Sequence, residues 1–340
     1  MNVLSLFDGM SCGQIALERA GIKVENYFAS EIDKYAMTVT KHNYPNTKHI
    51  GDVTKVKGAD LPKIDLLIGG SPCQGFSFAG KQLNFDDPRS KLFFEFVRLL
   101  KETKPKYFLL ENVKMKQEFQ DIITEYLGIE PIVINSNLVS AQNRTRYYWT
   151  NIPNITQPKD KELLLKDITE DGLQSLGLAK RGRYNEDGKV VQNYELNGTE
   201  KSNAMTTVSK DTLLFIPIDK HSSKSGLVCL GGLIKPTHKL WLNDGKLLQR
   251  NFSQGNRVYS SEGKSANLNA NSGGIGGKTG LYEIDGVIRK LTPLECERLQ
   301  TVPDNYTSCV SNTQRYRMLG NGWTVDVIAH IFKGLLNENL

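Results

Sequence analysis

The chain has 340 residues, 39% hydrophobic and 24% charged, with 43 Lys/Arg against 37 Asp/Glu, a net charge of +6 and a pI near 8.9. That composition excludes a disordered chain, and no apolar run approaches the roughly 18 residues of a membrane-spanning helix. The five cysteines, Cys12, Cys73, Cys229, Cys296 and Cys309, include no Cys-x-x-Cys pair, which argues against a disulfide framework or a zinc site and for a reducing compartment.

The N-terminus lacks a basic segment and leads directly into a glycine turn, so residues 3–7 read as a first strand rather than part of a signal peptide. The turn Asp8-Gly9-Met10-Ser11-Cys12-Gly13 follows, then a helix over 14–20 closed by Gly21, then a strand over 24–30. That strand ends in Glu31-Ile32-Asp33, and 34–43 continue as a helix. The alternation repeats with a strand at 66–68, a helix over 92–103, a strand at 107–110, a helix over 117–127, and strands at 131–135 and 147–150. A β-α-β alternation of this kind predicts a doubly wound, mostly parallel sheet.

Two features suit that sheet to a nucleoside cofactor. A glycine turn after the first strand lets a ligand approach the backbone, and an acidic residue at the end of the second, Glu31, can accept bonds from ribose hydroxyls. The turn is not a clean G-x-G-x-x-G and lacks the Lys and Ser/Thr of a phosphate loop, so a cofactor without pyrophosphate, such as S-adenosylmethionine, fits better than NAD. Gly9 and Gly13 equally fit a plain turn, and Glu31 a cap on the next helix.

Past residue 153 the character changes. Residues 170–285 are rich in Gly, Asn, Ser and Lys with short apolar runs, which reads as a smaller, loop-rich β domain. Residues 201–290 hold 13 Lys/Arg and 6 Asp/Glu, so the +7 of this stretch exceeds the +6 of the whole chain. A polyanion partner and an ordinary lysine-rich surface both account for it. Residues 201–206 and 264–269 echo one another, as two similar hairpins would. Helices are expected again at 293–300 and 325–336, the last with Val327, Ile328, Ile331, Phe332 and Leu335 on one side. The chain therefore divides into a large α/β domain (1–165), a smaller basic domain (166–288), and a hinge with a terminal helix returning to the first domain (289–340), which the resemblance given below makes the catalytic and cofactor-binding domain, the target-recognition domain and the hinge.

The chemistry centres on Gly69-Gly70-Ser71-Pro72-Cys73-Gln74-Gly75-Phe76-Ser77, a turn after the apolar run Ile64-Asp65-Leu66-Leu67-Ile68. A thiol there can be a nucleophile if its pKa is lowered, or a turn cysteine with no chemical role. The surrounding blocks decide between them. In order they are Phe7-Asp8-Gly9, Glu31, Gly51-Asp52-Val53, Pro72-Cys73-Gln74, Glu111-Asn112-Val113, Gln142-Asn143-Arg144-Thr145-Arg146, the run from Arg289 to Gln300, and Gly320-Asn321. Over nearly its full length the chain resembles the cytosine-C5 DNA methyltransferases, of the compact bacterial or phage type. Leu92-Phe93-Phe94-Glu95-Phe96, the Ser71-Pro72-Cys73 form and Trp323 look similar to the animal de novo branch.

The resemblance implies an α/β methyltransferase fold and transfer from S-adenosyl-L-methionine to C5 of a flipped-out cytosine in a short duplex DNA sequence. It implies Cys73 as the nucleophile on C6, a protonated Glu111 on N3, and Arg144 and Arg146 holding the base carbonyl and supporting the other two. Phe7, Gly9, Met10, Ser11, Glu31, Ile32, Asp52, Val53, Pro72, Leu92, Asn321 and Trp323 are the implied cofactor contacts. Lys81 and Arg89 on the loop after Cys73, with Arg250, Arg257, Lys264 and Lys278 in the basic region, are the implied DNA contacts. No metal and no membrane partner are expected. The expected form is a cytoplasmic monomer of a bacterial or phage-infected cell, with a cognate restriction endonuclease left open as a partner. The alternatives are a tRNA cytosine-C5 methyltransferase, disfavoured because the Cys-Phe-Thr element of that branch is missing, and a catalytically silent DNA-binding homologue, disfavoured because Cys73 and Glu111 are both present.

Overall fold

A computed structural model of the chain describes residues 1–71, 91–170, 179–184, 190–195, 214–222, 226–234, 242–243, 246–247, 254–270, 276–284 and 287–336. It divides into two compact units. The first comprises Met1–Ser140, Arg144–Glu162 and Glu297–Leu340, and the second Ala141–Asn143 and Leu163–Cys296.

In the first unit the elements are β1 (Asn2–Leu6), α1 (Cys12–Arg19), β2 (Asn26–Ser30), α2 (Lys34–Asn43), β3 (Lys48–His49), β4 (Leu66–Gly69), α3 (Lys91–Thr103), β5 (Tyr107–Val113), α4 (Gln117–Leu127), β6 (Ile132–Asn135) and β7 (Thr145–Thr150). They form a seven-stranded sheet in the order β3-β2-β1-β4-β5-β7-β6. The pairs from β3 to β5 are parallel, and β7 runs antiparallel between β5 and β6. The order reverses between β1 and β4, and ligands of open α/β sheets bind outside the carboxyl ends of the strands at such a switch point.

Both faces of this sheet are covered, as parallel strands require. Leu4, Leu6, Leu67, Phe108 and Leu110, alternate residues on their strands, share one core with Phe93, Phe96 and Val97 of α3 and Phe119 and Ile123 of α4. The spacing of the apolar residues on α3 sets its buried side, while Arg98 ties Glu95 and Glu102 at 2.7 and 2.9 Å on the other. On the opposite face Ile68 and the Tyr27 hydroxyl lie so close to Gly13 of α1 that a Cβ there would meet them at 2.6 and 2.7 Å. Gly128 stops α4 at φ 69, in the left-handed region.

The C-terminal part supplies α5 (Pro293–Leu299), which crosses the division between the units, then α6 (Asn312–Asn321) and α7 (Val325–Phe332). Helix α7 packs against α1, and Arg19 pairs with Asp326 at 2.7 Å.

The second unit contains β8 (Ala179–Tyr184), β9 (Val190–Glu195), β10 (Leu214–Ser222), β11 (Val228–Ile234), β12 (Leu242–Asn243), β13 (Lys246–Leu247), β14 (Arg257–Ser260), β15 (Leu281–Ile284) and β16 (Val287–Arg289). Five of these form a sheet in the order β10-β11-β14-β15-β16, with β14 and β15 parallel. Tyr282 lies in the core of this unit, and its hydroxyl donates to the Thr279 carbonyl at 2.8 Å and accepts from the Ala266 amide at 2.9 Å.

Several sequence expectations shift. The first strand ends at Leu6 because Phe7 already has φ 57, and α1 starts at Cys12, after Ser11 at φ 60. Strand β5 runs on to Val113, so Glu111 lies within the strand, opposite Tyr148, rather than after it. The ladder with β7, which local sequence does not reveal, extends it. The expected helix at 325–336 is α7 followed by one 3-10 turn, Lys333–Leu335. The two-residue β3 and helix α6, a polar stretch with little apolar periodicity, were not anticipated. Of the two echoing segments, 201–206 lies outside the described residues, and 264–269 forms no strand.

Candidate active site

The carboxyl end of β1 opens into a loop with three left-handed residues in five, Phe7, Gly9 and Ser11. Side chains brace it from beneath. The Tyr27 hydroxyl donates to Asp8 Oδ1 at 2.7 Å and the Ser11 hydroxyl donates to Asp8 Oδ2. Thr40 Oγ1 donates to Ser11 Oγ at 3.2 Å. Burial pushes the Asp8 carboxyl up to about 6; the hydroxyl bonds from Ser11, Ser5 and Tyr27 oppose that shift, and the charge of Glu31 adds to it.

Glu31, at the end of β2, closes the loop from the side. Its Oε2 accepts from the Gly9 amide at 2.8 Å and its Oε1 from the Ile32 and Asp33 amides, each at 2.7 Å. Oε2 therefore retains a free lone-pair direction for a ligand hydroxyl. Asp33, not Glu31, caps α2 through the amides of Tyr35 and Ala36. Ile32 is 76% exposed, an apolar side chain standing free beside that carboxylate. Asp52 follows a glycine turn at Gly51, φ 76. Its carboxyl is held below the usual range by the Thr54 amide and hydroxyl. Val53 is buried in the core, with its carbonyl accepting from Arg98 at 3.1 Å. Phe7 and Leu92 are partly buried against the same core.

The second half of the site lies at the adjoining strand ends. Gly69 of β4 pairs with Leu110 of β5, which brings Gly70 beside Glu111. A Cβ on Gly70 would lie 3.0 Å from Trp323 Nε1 and 3.2 Å from Glu111 Oε2. Glu111 is buried, and both its oxygens face donors. Arg146 Nε forms an ion pair with Oε1 at 3.0 Å, and Trp323 Nε1 donates to Oε2 at 3.2 Å. Tyr148, opposite Glu111, is pushed above the usual phenol range by burial and by the carboxylate. Arg144 precedes β7, and its Nη2 donates to the carbonyls of Gly322 at 2.9 Å and Gly320 at 3.3 Å. The two arginines thus reach different partners, where alternation along one strand predicts a shared face. Asn112 Nδ2 donates to Ser71 Oγ at 3.2 Å, bracing the last residue described before Pro72.

Pro72, Cys73, Lys81, Arg89 and Arg250 lie outside the described residues. Met10 is buried, with its carbonyl accepting from the Tyr306 hydroxyl at 2.7 Å. Asn321, the last residue of α6, is exposed and Trp323 is half-buried. In the second unit Arg257 and Lys278 are half-buried. Lys264 departs from expectation: it is 8% exposed and its ammonium donates to the Leu163 carbonyl, so it does not stand at the surface as a phosphate contact would. Among the described residues no disulfide joins Cys12, Cys229, Cys296 or Cys309, and burial pushes Cys12 up to about 12, which keeps it protonated and inert. Among the described residues, no group of three or more His, Cys, Asp or Glu side chains could hold a metal ion, and no helix is long and apolar enough to cross a membrane.

Sequence reasoning missed Asp8, Gly70 and Gln300 as parts of the site. Asp8 lies inside the Phe7-Asp8-Gly9 motif without an assigned role, and its hydroxyl partners come from β1 (Ser5), β2 (Tyr27) and the loop itself (Ser11). Gln300 is fully buried, with its Nε2 donating to the Leu319 carbonyl at 2.6 Å and its Oε1 accepting from Thr324 at 2.9 Å. No local signal marks a glutamine for that.

A family model described as C-5 cytosine-specific DNA methylase matches residues 1–337. The chain is 34% identical over 312 residues to the orphan methyltransferase M.Rho11sI of Bacillus phage rho11s, a match covering 85% of this chain and 61% of that one. It is 30% identical over 355 residues to the type II methyltransferase M.HhaI of Haemophilus parahaemolyticus, covering 97% and 93% of the two. Among solved structures it is similar to a DNA modification methyltransferase encoded within an E. coli prophage, with TM-score 0.63, 23% identity and 99% of each chain covered. It is also similar to the Entamoeba histolytica methyltransferase EhMeth, with TM-score 0.67, 16% identity and coverage of 100% and 99%. At those identities the structures speak to the fold alone.

Proposed function

Because the chain belongs to the C-5 cytosine-specific DNA methylase family, which makes it a DNA cytosine-5 methyltransferase, we propose that it methylates C5 of a cytosine flipped out of a short duplex recognition sequence, through a covalent bond between Cys73 Sγ and C6 of the base. The observation that carries the reading is the buried Glu111, ion-paired with Arg146 through one oxygen and hydrogen-bonded by Trp323 through the other, beside strand β4, whose last residue, Gly69, lies four positions before Cys73.

Cytosine C5 is too weak a nucleophile to take a methyl group unaided. The Cys73 thiolate adds to C6, and the displaced electron pair makes C5 enamine-like. Glu111, protonated, donates to N3 and helps the ring accept that charge. Arg146 holds Glu111, and Arg144 fixes the turn at Gly320 and Gly322 behind it. Bound S-adenosyl-L-methionine supplies an electrophilic methyl group. Departure of the C5 proton, to water or another base, returns the electron pair that expels Cys73 and restores the aromatic ring.

The residues at the strand ends fit that cofactor by their chemistry. Glu31 keeps a free acceptor site suited to a ribose hydroxyl, exposed Ile32 offers an apolar face to adenine, and the Asp52 carboxylate can accept from the adenine amine. The backbone at 7–11, with Phe7, Gly9, Met10 and Ser11, serves the methionine end. Val53, Pro72, Leu92, Asn321 and Trp323 complete the assignment. A base within a duplex must leave the stack to meet Cys73; Lys81 and Arg89 serve the loop over the DNA, and the second unit, with Arg250, Arg257 and Lys278, recognises the target. The enzyme works as a cytoplasmic monomer in a bacterial or phage-infected cell.

The test is to incubate the protein with methyl-labelled S-adenosylmethionine and either duplex DNA or tRNA, then map modified cytosines at base resolution. Label at C5 within one short duplex sequence is the expected result and supplies the target. Label in tRNA alone would overturn the substrate while keeping the chemistry.

A further inference from the structure

We propose that Trp323 is a positioning residue for Glu111, acting through its indole N–H, and that it is more than part of a cofactor wall. The proposal rests on the role given to Glu111 above.

Three observations converge on it. Trp323 Nε1 lies 3.2 Å from Glu111 Oε2. An indole N–H donates and never accepts, so it reads Oε2 as an acceptor. The other oxygen forms an ion pair with Arg146 Nε at 3.0 Å without hydrogen-bond geometry, so the indole supplies a directional bond to the carboxyl that the guanidinium does not. The space for this contact is kept by Gly70, where a Cβ would intrude on both partners at 3.0 and 3.2 Å.

The tryptophan is itself held in place. The Gly322 carbonyl before it accepts from Arg144 at 2.9 Å and from Gln300 at 3.3 Å. The same turn packs on Cys12, whose Sγ lies 3.5 Å from where a Cβ on Gly322 would be. Gly322 is packed so that a Cβ would meet Met10 Cε at 2.9 Å. A half-buried indole anchored from three directions ends on one carboxylate oxygen.

The consequence is chemical. Donating a proton to the base requires a fixed direction for the acid oxygen. Trp323 donates to Oε2 and so fixes the direction in which the carboxyl faces the base. Without the indole the carboxyl rotates about its last bond, and the acid is aimed correctly for only part of the time.

The experiment compares Trp323→Phe, Glu111→Gln and the double variant at saturating cofactor and DNA, with equilibrium binding of S-adenosylmethionine measured beside kcat. Loss of one partner of a buried hydrogen bond sets the scale, so Trp323→Phe is expected to lower kcat on the order of tenfold, with cofactor affinity held within about twofold. In the Glu111→Gln background the same change is expected to cost nothing further, the signature of two residues acting as one unit. An unchanged kcat with weakened cofactor binding, or a full additional loss in the double variant, overturns the proposal. Wild-type turnover by Glu111→Gln overturns the Glu111 role itself, and Trp323 falls with it. Where Trp323→Phe does not fold, Gly70→Ala carries the test: it is expected to lower kcat by crowding the pair, and an unaltered kcat overturns the proposal.

Discussion

Asp8 shows how a single side chain couples the loop to pH. Folding moves its carboxyl from the ordinary 3.8 up to about 6, chiefly by burial. The folded state therefore binds the proton more tightly than the unfolded one. The stability this group contributes is fully present below about pH 4 and is lost as pH rises through about 6. The shift corresponds to at most about 3 kcal/mol. Asp8→Asn, which removes the titration and keeps the shape, is expected to flatten the stability profile between pH 4 and 7, read by urea unfolding at each pH; an unchanged slope would assign that region to other groups. At the same scale, Cys73→Ser is expected to abolish methyl transfer while duplex binding persists, measured by label incorporation beside a gel shift. Appreciable turnover by that variant would remove Cys73 from the role of nucleophile.

At the scale of elements, the site is a set of strand ends. Glu31 links three amides on two loops, so it is a brace as well as a candidate ligand. Glu31→Ala is expected to weaken S-adenosylmethionine binding and to speed hydrogen exchange at the Gly9 amide; unaltered exchange would deny the brace. Helix α3 supplies Phe93 and Phe96, both fully buried, to the core beneath the strand ends. Phe96→Ala leaves a cavity there and is expected to cost about 3–5 kcal/mol in denaturant unfolding. The element spans were mostly legible because apolar periodicity marks them. Their ends were not: β5 reaches Val113 through pairing with β7, a partner more than thirty residues away in sequence.

For the whole molecule, the basic excess is concentrated in residues 201–290. If about four phosphates are neutralised, duplex affinity is expected to fall on the order of a hundredfold between about 50 and 200 mM salt. A flat response in a titration by fluorescence anisotropy would count against a phosphate-binding surface. The first unit is assembled from three stretches of chain, and α7 returns to pack on α1. Amphipathic character alone suggests that return, but the break points at 140, 144, 162 and 297 follow from contacts between distant segments.

The sequence by itself determined the fold class, because alternating apolar strands and amphipathic helices leave a parallel sheet covered on both faces as the stable arrangement. It also pointed to the family, because Pro-Cys-Gln, Glu-Asn-Val and Gln-x-Arg-x-Arg in order form a specific set, and the family model matches residues 1–337. What only the tertiary structure decided was the partner of each group. Arg144 and Arg146, two apart in sequence, divide between the Gly320 and Gly322 carbonyls and Glu111. Lys264, basic in composition, is buried on the Leu163 carbonyl. Trp323 meets Glu111 across 212 positions of sequence. Residue type fixes what a side chain can donate or accept, but which acceptor lies within 3 Å depends on how remote segments pack, and local sequence carries no record of that.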